Sequence, residues 1–324
     1  MANSQAFDRA SSPFHAGERA LQERAGVREQ VERGGRRMIL DHLSEEHRDF
    51  FAQLPFLVVG SVDDRGRPWA SLLSAEPGFV TAPTPHSLIV GKRPLAADPL
   101  SENLRVGAPL GILGIQLETR RRNRANGRIV WENANGFELS VEQAFGNCRR
   151  YIQARTSGGQ AARTASAEPP VMGGGLLSEP ARTLLEQCDT SFLASASAEA
   201  SRGGREGVDV SHRGGRPGFL HIEADSAGAE ERTRLVLPDY QGNFLFNTLG
   251  NIAVNPRVGL LACDFSTGDL LSLTGDARIV WDGPRVRAFA GAERLLEIDV
   301  QAHIVLPGAL GKTWSAPTFA RELG

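Results

Sequence analysis

One strand-like word is written twice in this chain. Residues 127–131 read GRIVW, and ARIVW runs from Ala277 to Trp281. Other fragments recur in the same order and at nearly one offset. Gly66-Arg67-Pro68 returns as Gly215-Arg216-Pro217, and Asn103, Val106 and Gly111 return as Asn251, Val254 and Gly259. ELSVEQA from Glu138 returns loosely as EIDVQA from Glu297. An internal repeat decides the fold before any local propensity does, because each copy must close its own core and then pack on its twin. The chain therefore reads as two copies of one module.

Within each copy the pattern is β. FLVVGSV, PWASLL, SLIVG, LGILGIQLE, GRIVW and FELSVEQAF are short runs rich in Val, Ile, Leu and Phe, separated by turn residues. Phe137, Leu139, Val141 and Phe145 alternate onto one face of the last run. The second copy answers with SFLASAS, PGFLHI, RLVLP, NFLFN, VGLLACD, LLSLTGDARIVW and LLEIDVQAHIVL. About six strands per copy with few helices predicts a small antiparallel barrel, a closed form that hides its own sheet edges. Two such barrels on one chain form the covalent equivalent of a two-fold dimer, an intrachain pseudo-dimer.

The rest of the chain divides around the copies. Residues 1–49 read as a helical arm, mostly charged, with Leu21, Val27 and Val31 too sparse for a core face. Within it Ser44 is the predicted N-cap of a helix that includes His47. The first copy is expected over residues 50–153 and the second over 181–324. Between them, residues 154–180 are rich in Gly, Ala, Ser and Pro and read as a linker.

Composition bounds the function classes. With 324 residues, 41% apolar, and a net charge of −2, a globular soluble protein is expected, without the basic excess of a nucleic-acid binder. No apolar run is long enough to cross a bilayer as a helix, and no signal peptide is recognisable. The cysteines are three, Cys148, Cys188 and Cys263, without a C-x-x-C spacing. Buried free thiols in a reducing cytoplasm are expected. The histidines lack an H-x-x-x-H pair, so no metal site is expected. LPGALGKTW near the C-terminus imitates a phosphate loop but lacks its first glycine and a following helix.

The segment richest in chemistry is RLVLPDYQGNFLFNTLGNIAVNPRVGLL, Arg234 to Leu261. It predicts strand, tight turn, strand, short helix and strand. The helix should start near Asn247 or Thr248, both good N-caps, and stop before Pro256. A helix start at a strand end presents free backbone N–H groups, an arrangement suited to phosphate, and Arg234 could pair with the same anion. In ETRRRNRANG, Arg120, Arg122 and Arg124 should share one strand face and Arg121 and Asn123 the other. Three arginines on one face repel one another unless an anion or carboxylates lie opposite. An exposed charged hairpin end is the plainer alternative.

This segment resembles the FMN-binding split barrels related to pyridoxamine 5'-phosphate oxidase, as a tandem, two-copy member. Arg234, Pro238 and Asp239 match R-x-x-x-P-D, and Gly242 and Asn243 match the following G-N. Asn247, Thr248, Leu249 and Asn251, then Asn255, Pro256, Val258 and Gly259, match the rest of the motif. Upstream, Ser211, Arg213 and Gly214 resemble the family's S-P-[RK]-G turn, with His212 in place of the proline. The resemblance implies two six-stranded split β-barrels with FMN at their interface. It implies that Arg234, Asn247, Thr248 and Asn251 hold the phosphate and that Ser211 and Arg213 meet the ribityl chain or ring. Arg120 or Arg122 would face the phosphate or an anionic substrate. The first copy has DPLSENL where the second has NTLGNI and lacks R-x-x-x-P-D, so its site is degenerate or differently built. QAFGNCRRYIQ resembles a segment of tandem members, which brings Asn147 and Tyr151 toward the site.

The resulting expectation is a flavoprotein oxidoreductase that passes electrons from a nicotinamide, NAD(P)H, or a partner reductase to a small substrate or oxygen. The rivals are a flavin- or haem-binding protein without turnover and a deazaflavin-dependent reductase on the same barrel.

Overall fold

The structure is a computed structural model that describes residues 11–160, 168–225 and 231–323. Three helices open the chain: α1 (Ala16–Arg24), α2 (Arg28–Met38) and α3 (Glu45–Ala52). The first copy follows as β1 (Phe56–Val62), β2 (Pro68–Ser74), β3 (Val80–Thr81), β4 (Ser87–Val90), α4 (Leu100–Asn103), β5 (Pro109–Gln116), β6 (Arg121–Asn133) and β7 (Gly136–Gly146). Next come β8 (Ser157–Gln160), β9 (Val171–Gly173) and α5 (Glu179–Gln187). The second copy comprises β10 (Thr190–Ala196), β11 (Val208–Gly214), β12 (His221–Asp225), β13 (Arg232–Asp239), α6 (Asn247–Val254), β14 (Arg257–Cys263), β15 (Leu270–Val280), α7 (Pro284–Arg287) and β16 (Arg294–Leu306), with β17 (Lys312–Trp314) beyond it.

The duplication is written in the strand order. The first sheet runs β2-β1-β5-β6-β7-β4-β3 and the second runs β11-β10-β14-β15-β16-β13-β12, the same path element for element. Every pairing within the two sheets is antiparallel. In each sheet the two end strands are not hydrogen-bonded to each other, so each barrel is split. Seven strands per copy replace the expected six, because the short β3 and its counterpart β12 complete the end of each sheet. Each barrel has its own core: Leu57, Val59, Ile112, Phe137 and Leu139 in the first, Leu193, Leu235, Leu260, Leu273 and Ile298 in the second. A third cluster, with Phe56, Leu72, Leu113, Phe192 and Leu261, joins the two.

The register corrects part of the repeat. Gly111 pairs with Asn126 and Gly259 with Thr274, which makes Gly127 equivalent to Gly275 rather than to Ala277. The IVW word is thus displaced by two residues, and it survives because strand alternation has a period of two. Gly66-Arg67-Pro68 precedes β2, whereas Gly215-Arg216-Pro217 follows β11, so that match has no structural counterpart. Asn103 and Asn251 are true equivalents: each donates to a buried serine on the first strand of its own barrel, Ser61 at 2.9 Å and Ser195 at 3.1 Å.

Two further expectations change. Residues 154–180 are not a plain linker: β8 pairs with β17, and β9 pairs with β16. Residues 161–167 of that stretch, and residues 1–10 of the arm, lie outside the described residues. The arm itself is packed, although its apolar residues are few. Leu21 joins the core of the second barrel, and Val31 packs with Phe14, Ile39, Phe145 and Leu245. Glycine makes this possible, since a Cβ on Gly17 would meet the Gly250 carbonyl oxygen at 2.1 Å and one on Gly250 would meet the Glu18 Cα at 2.7 Å. Helices α1 and α6 therefore touch backbone to backbone. Ser44 caps α3 as predicted, accepting from the His47 N–H at 3.2 Å.

Gly17→Ala should separate α1 from α6 and cost roughly 1–3 kcal/mol, the usual penalty for overpacking a tight contact. Urea denaturation with limited proteolysis of the arm checks this; full stability with a protected arm would contradict the packing described.

Candidate functional site

The cleft between the barrels is built from both copies. Leu113 of β5 with Arg122 and Arg124 of β6 form one wall; Ser211 to Gly214 of β11 and the first residues of α6 form the other. Residues 147–151, the end of β13 and the loop 240–246 complete it. The space between these residues, open solvent included, is about 1060 Å³.

Local chain geometry shapes the loop. The predicted strand NFLFN is irregular, and Phe244 and Phe246 both lie in the left-handed region, with φ of 58° and 62°. Leu245 between them is buried in the arm's cluster, while both phenylalanines line the cleft. Phe246, not Asn247 or Thr248, is the N-cap of α6, and it offers no side-chain cap. The SHRG stretch is also not a turn: Ser211, His212 and Arg213 lie within β11, an edge strand of its sheet.

The charges decide what the cleft can hold. Five arginines line it, Arg122, Arg124, Arg150, Arg213 and Arg294, against one carboxylate, Asp239. Arg124, 2% exposed, donates to Asp209 at 2.9 Å and to the Ser211 hydroxyl at 2.7 Å. Arg213 and Arg294 share Asp239 at 3.5 and 3.1 Å, and Arg294 also pairs with Glu293. Arg150 donates to the Gln241 carbonyl and side chain. Among the described residues, the Arg122 guanidinium has neither an ion-pair nor a hydrogen-bond partner, and its Nε is fully shielded. Burial, with Arg213 and Arg124 nearby, pushes its pKa down to about 9. An uncompensated guanidinium in a cleft favours a negatively charged neighbour.

The predicted residues divide. Arg122, Ser211, Arg213, Asn247 and Thr248 all line the cleft, as do Asn147 and Tyr151. Two predicted arginines and Asn251 lie elsewhere. Arg120 sits in the turn before β6 with φ 55° and donates to the carbonyls of Ile152 and Thr318, so only Arg122 and Arg124 share the expected face. Arg234 is engaged bidentately by Asp299, its partner across β13 and β16. Asn251 is 1% exposed below the cleft, donating to Ser195 and to Asp209. The other α6 groups are also engaged: Thr248 donates to Ser211 at 2.7 Å, and Asn247 donates to Glu18 of the arm at 2.5 Å. Burial pushes the Glu18 carboxyl well above the usual carboxylate range, which favours its protonated form beside Asp209.

Arg294, Phe219 and Tyr240 were missed as site residues. Arg294 enters through the pairing of Asp239 with Arg294 across β13 and β16, a long-range register that sequence spacing does not reveal. Tyr240 stacks on Tyr151 at 6.0 Å, and the Tyr151 hydroxyl donates to Gln241, closing one end of the cleft.

The pseudo-equivalent place in the other half is closed. Register makes Leu270 and Ser272 of β15 the counterparts of Arg122 and Arg124, and makes Ser71 the counterpart of Ser211. Ser71 donates to Asp98, which also accepts from the Leu100 N–H at the start of α4. The chain's own carboxyl thus fills the helix start, and no arginine faces it from β15.

No protein-family model matches the chain, and no curated protein does. The solved structures it is similar to include two putative pyridoxamine 5'-phosphate oxidases and an F420 reductase. HupZ of Group A Streptococcus is 12% identical, covering 43% of this chain and 98% of its own, with a TM-score of 0.30. A putative pyridoxamine 5'-phosphate oxidase of Lactobacillus delbrueckii is 13% identical, covering 40% and 93%, with a TM-score of 0.29. HutZ, the heme storage protein of Vibrio cholerae, is 14% identical, covering 45% and 99%, with a TM-score of 0.24. Among the described residues no helix is long and apolar enough to cross a membrane.

Burial raises the pKa of Asp98 to about 6, above the ordinary value of about 3.9. The folded state therefore holds this proton more tightly than the unfolded chain, and stability falls as pH rises through the window from about 4 to about 6. Asp98→Asn should remove roughly 3 kcal/mol of that loss, read from urea denaturation at several pH values. An unchanged pH profile would show that Asp98 is not the group responsible.

Proposed function

We propose that the chain binds one FMN in the cleft between its barrels and acts as a flavin-dependent oxidoreductase. The observation that carries this reading is Arg122, a guanidinium without a partner on the wall of a polar cleft that also presents several aromatic side chains. The residues fit the group. A phosphate requires a cation not already neutralised, which Arg122 provides with Arg213 beside it. A flat ring requires apolar walls, which Phe219, Phe244, Phe246, Leu113 and Leu237 provide. The phosphate is therefore assigned to Arg122 rather than to Arg234, and a single site per chain follows from the closed counterpart at Asp98.

When bound, the flavin supplies the redox chemistry, and the protein supplies binding, orientation and electrostatics. Arg122 and Arg213 anchor the anionic end. The phenylalanines exclude water from the ring, and the Tyr151–Tyr240 stack bounds the end of the cleft through which a small substrate enters. Electrons would come from a nicotinamide or a partner reductase. Cys148 also lines the cleft, and no nucleophilic role is assigned to it.

Fluorescence titration should show one FMN per chain. Arg122→Ala should weaken binding by about 1.5–3 kcal/mol, tenfold or more, as loss of a charge-assisted hydrogen bond does. Arg234→Ala should leave affinity near that of the unmodified chain, because its partner is Asp299. The reverse pattern would return the phosphate to Arg234 and overturn the assignment. Stopped-flow absorbance with NADH and NADPH separates an enzyme from a binder, since a bound flavin that neither they nor a reductase reduces marks a carrier. The visible spectrum and the mass of the released ligand distinguish FMN from haem or a deazaflavin.

A further inference from the structure

His212 is the sole histidine among the described residues that line the cleft. It is 3% exposed, its ring meets Phe192 edge-to-face at 5.6 Å, and neither ring nitrogen has a hydrogen-bond partner in the protein. An imidazole buried in that way forfeits the hydrogen bonds it would make in water. The charged groups that act on it are Arg122 from β6 and Arg213 from its own strand. Cys148 lines the same cleft, and the one lining carboxylate, Asp239, is engaged by Arg213 and Arg294. Burial and the two guanidinium groups hold His212 well below its ordinary pKa, so it is neutral in the free protein.

We propose that His212 is the proton carrier of this cleft: an anionic ligand seated on Arg122 and Arg213 draws one proton from solvent onto its imidazole. The inference deepens the FMN reading and rests on it for the identity of the anion. The ligand's negative charge offsets both arginines, whose fields hold the imidazole neutral in the free protein. A group whose pKa rises on binding takes up a proton between its free and bound values, so affinity falls as pH rises through that interval. The limit for one linked proton is about tenfold per pH unit.

Titration calorimetry with FMN, in two buffers of unequal ionisation enthalpy near neutral pH, counts the protons taken up. The expected result is net uptake of up to one proton per FMN, lost in His212→Gln while FMN still binds. Binding without uptake by the unmodified chain overturns the proposal and leaves the FMN reading intact, and it does so whether or not the variant folds. Uptake that persists in His212→Gln also overturns it. If FMN does not bind, the FMN reading falls. Sulfate, which does not titrate near neutrality, then takes its place: uptake with sulfate sustains the histidine's role, and no uptake or no binding ends it.

Discussion

The buried ion pair between Arg124 and Asp209 is the contact on which the two halves of this molecule depend. Arg124 belongs to the first copy and Asp209 to the second, so the pair crosses the seam. Asp209 also accepts from Asn126 at 2.8 Å and from Asn251 at 2.9 Å, while Arg124 reaches Ser211. One carboxylate thus ties β6, β11 and α6 into a single network. Removing either charge would leave the other buried and unpaired, which costs about 3–5 kcal/mol. The same network fixes the cleft, because Ser211 and Thr248 take their positions from it. It also explains why Arg122 is free to act: Asp209 is occupied two residues further along the strand.

Duplication followed by divergence is visible residue by residue. Both copies keep the buried asparagine–serine bond that holds the short helix to its barrel. At the seam they differ. Where one half presents Arg122 and Arg124, the other presents Leu270 and Ser272, and Leu270 is absorbed into the apolar cluster between the barrels. Where one helix starts with Asn247 and Thr248, the other starts after Asp98 and Pro99. The closed half gains core and an internal cap, and the open half keeps the charge.

Much of this architecture was legible in the sequence, for a physical reason. Strand alternation and turn residues are local, so the β character and the tandem organisation emerge from runs such as FELSVEQAF. The face shared by Arg122 and Arg124 follows from the same period of two. What local pattern cannot supply is which strand pairs with which. Asp239 meets Arg294, and Arg234 meets Asp299, only because β13 lies beside β16, and that register took Arg234 out of the site and brought Arg294 in. The arm was misread because its packing relies on glycine contact and buried polar groups, His15 and Glu18, rather than on an apolar stripe. NFLFN looked like a strand by composition, but its two left-handed phenylalanines are imposed by tertiary context.

Those phenylalanines connect fold to function. A non-glycine residue in the left-handed region costs about 1–2 kcal/mol, and three of the four such residues, Tyr151, Phe244 and Phe246, line the cleft. Strain of this kind persists only where the surroundings over-determine it. Here the surroundings are identifiable. Leu245 is anchored under the arm, Phe246 lies below the Arg294 guanidinium at 5.0 Å, and Tyr151 is held by Gln241 and by Tyr240. Arm, β16 and the segment after β7 each hold one point of the loop that walls the cleft. The aromatic walls are therefore set before any ligand arrives, which reduces the ordering cost of binding. The arm, whose described residues contribute none to the lining, acts on the cleft through Leu245 and through the contact between Glu18 and Asn247.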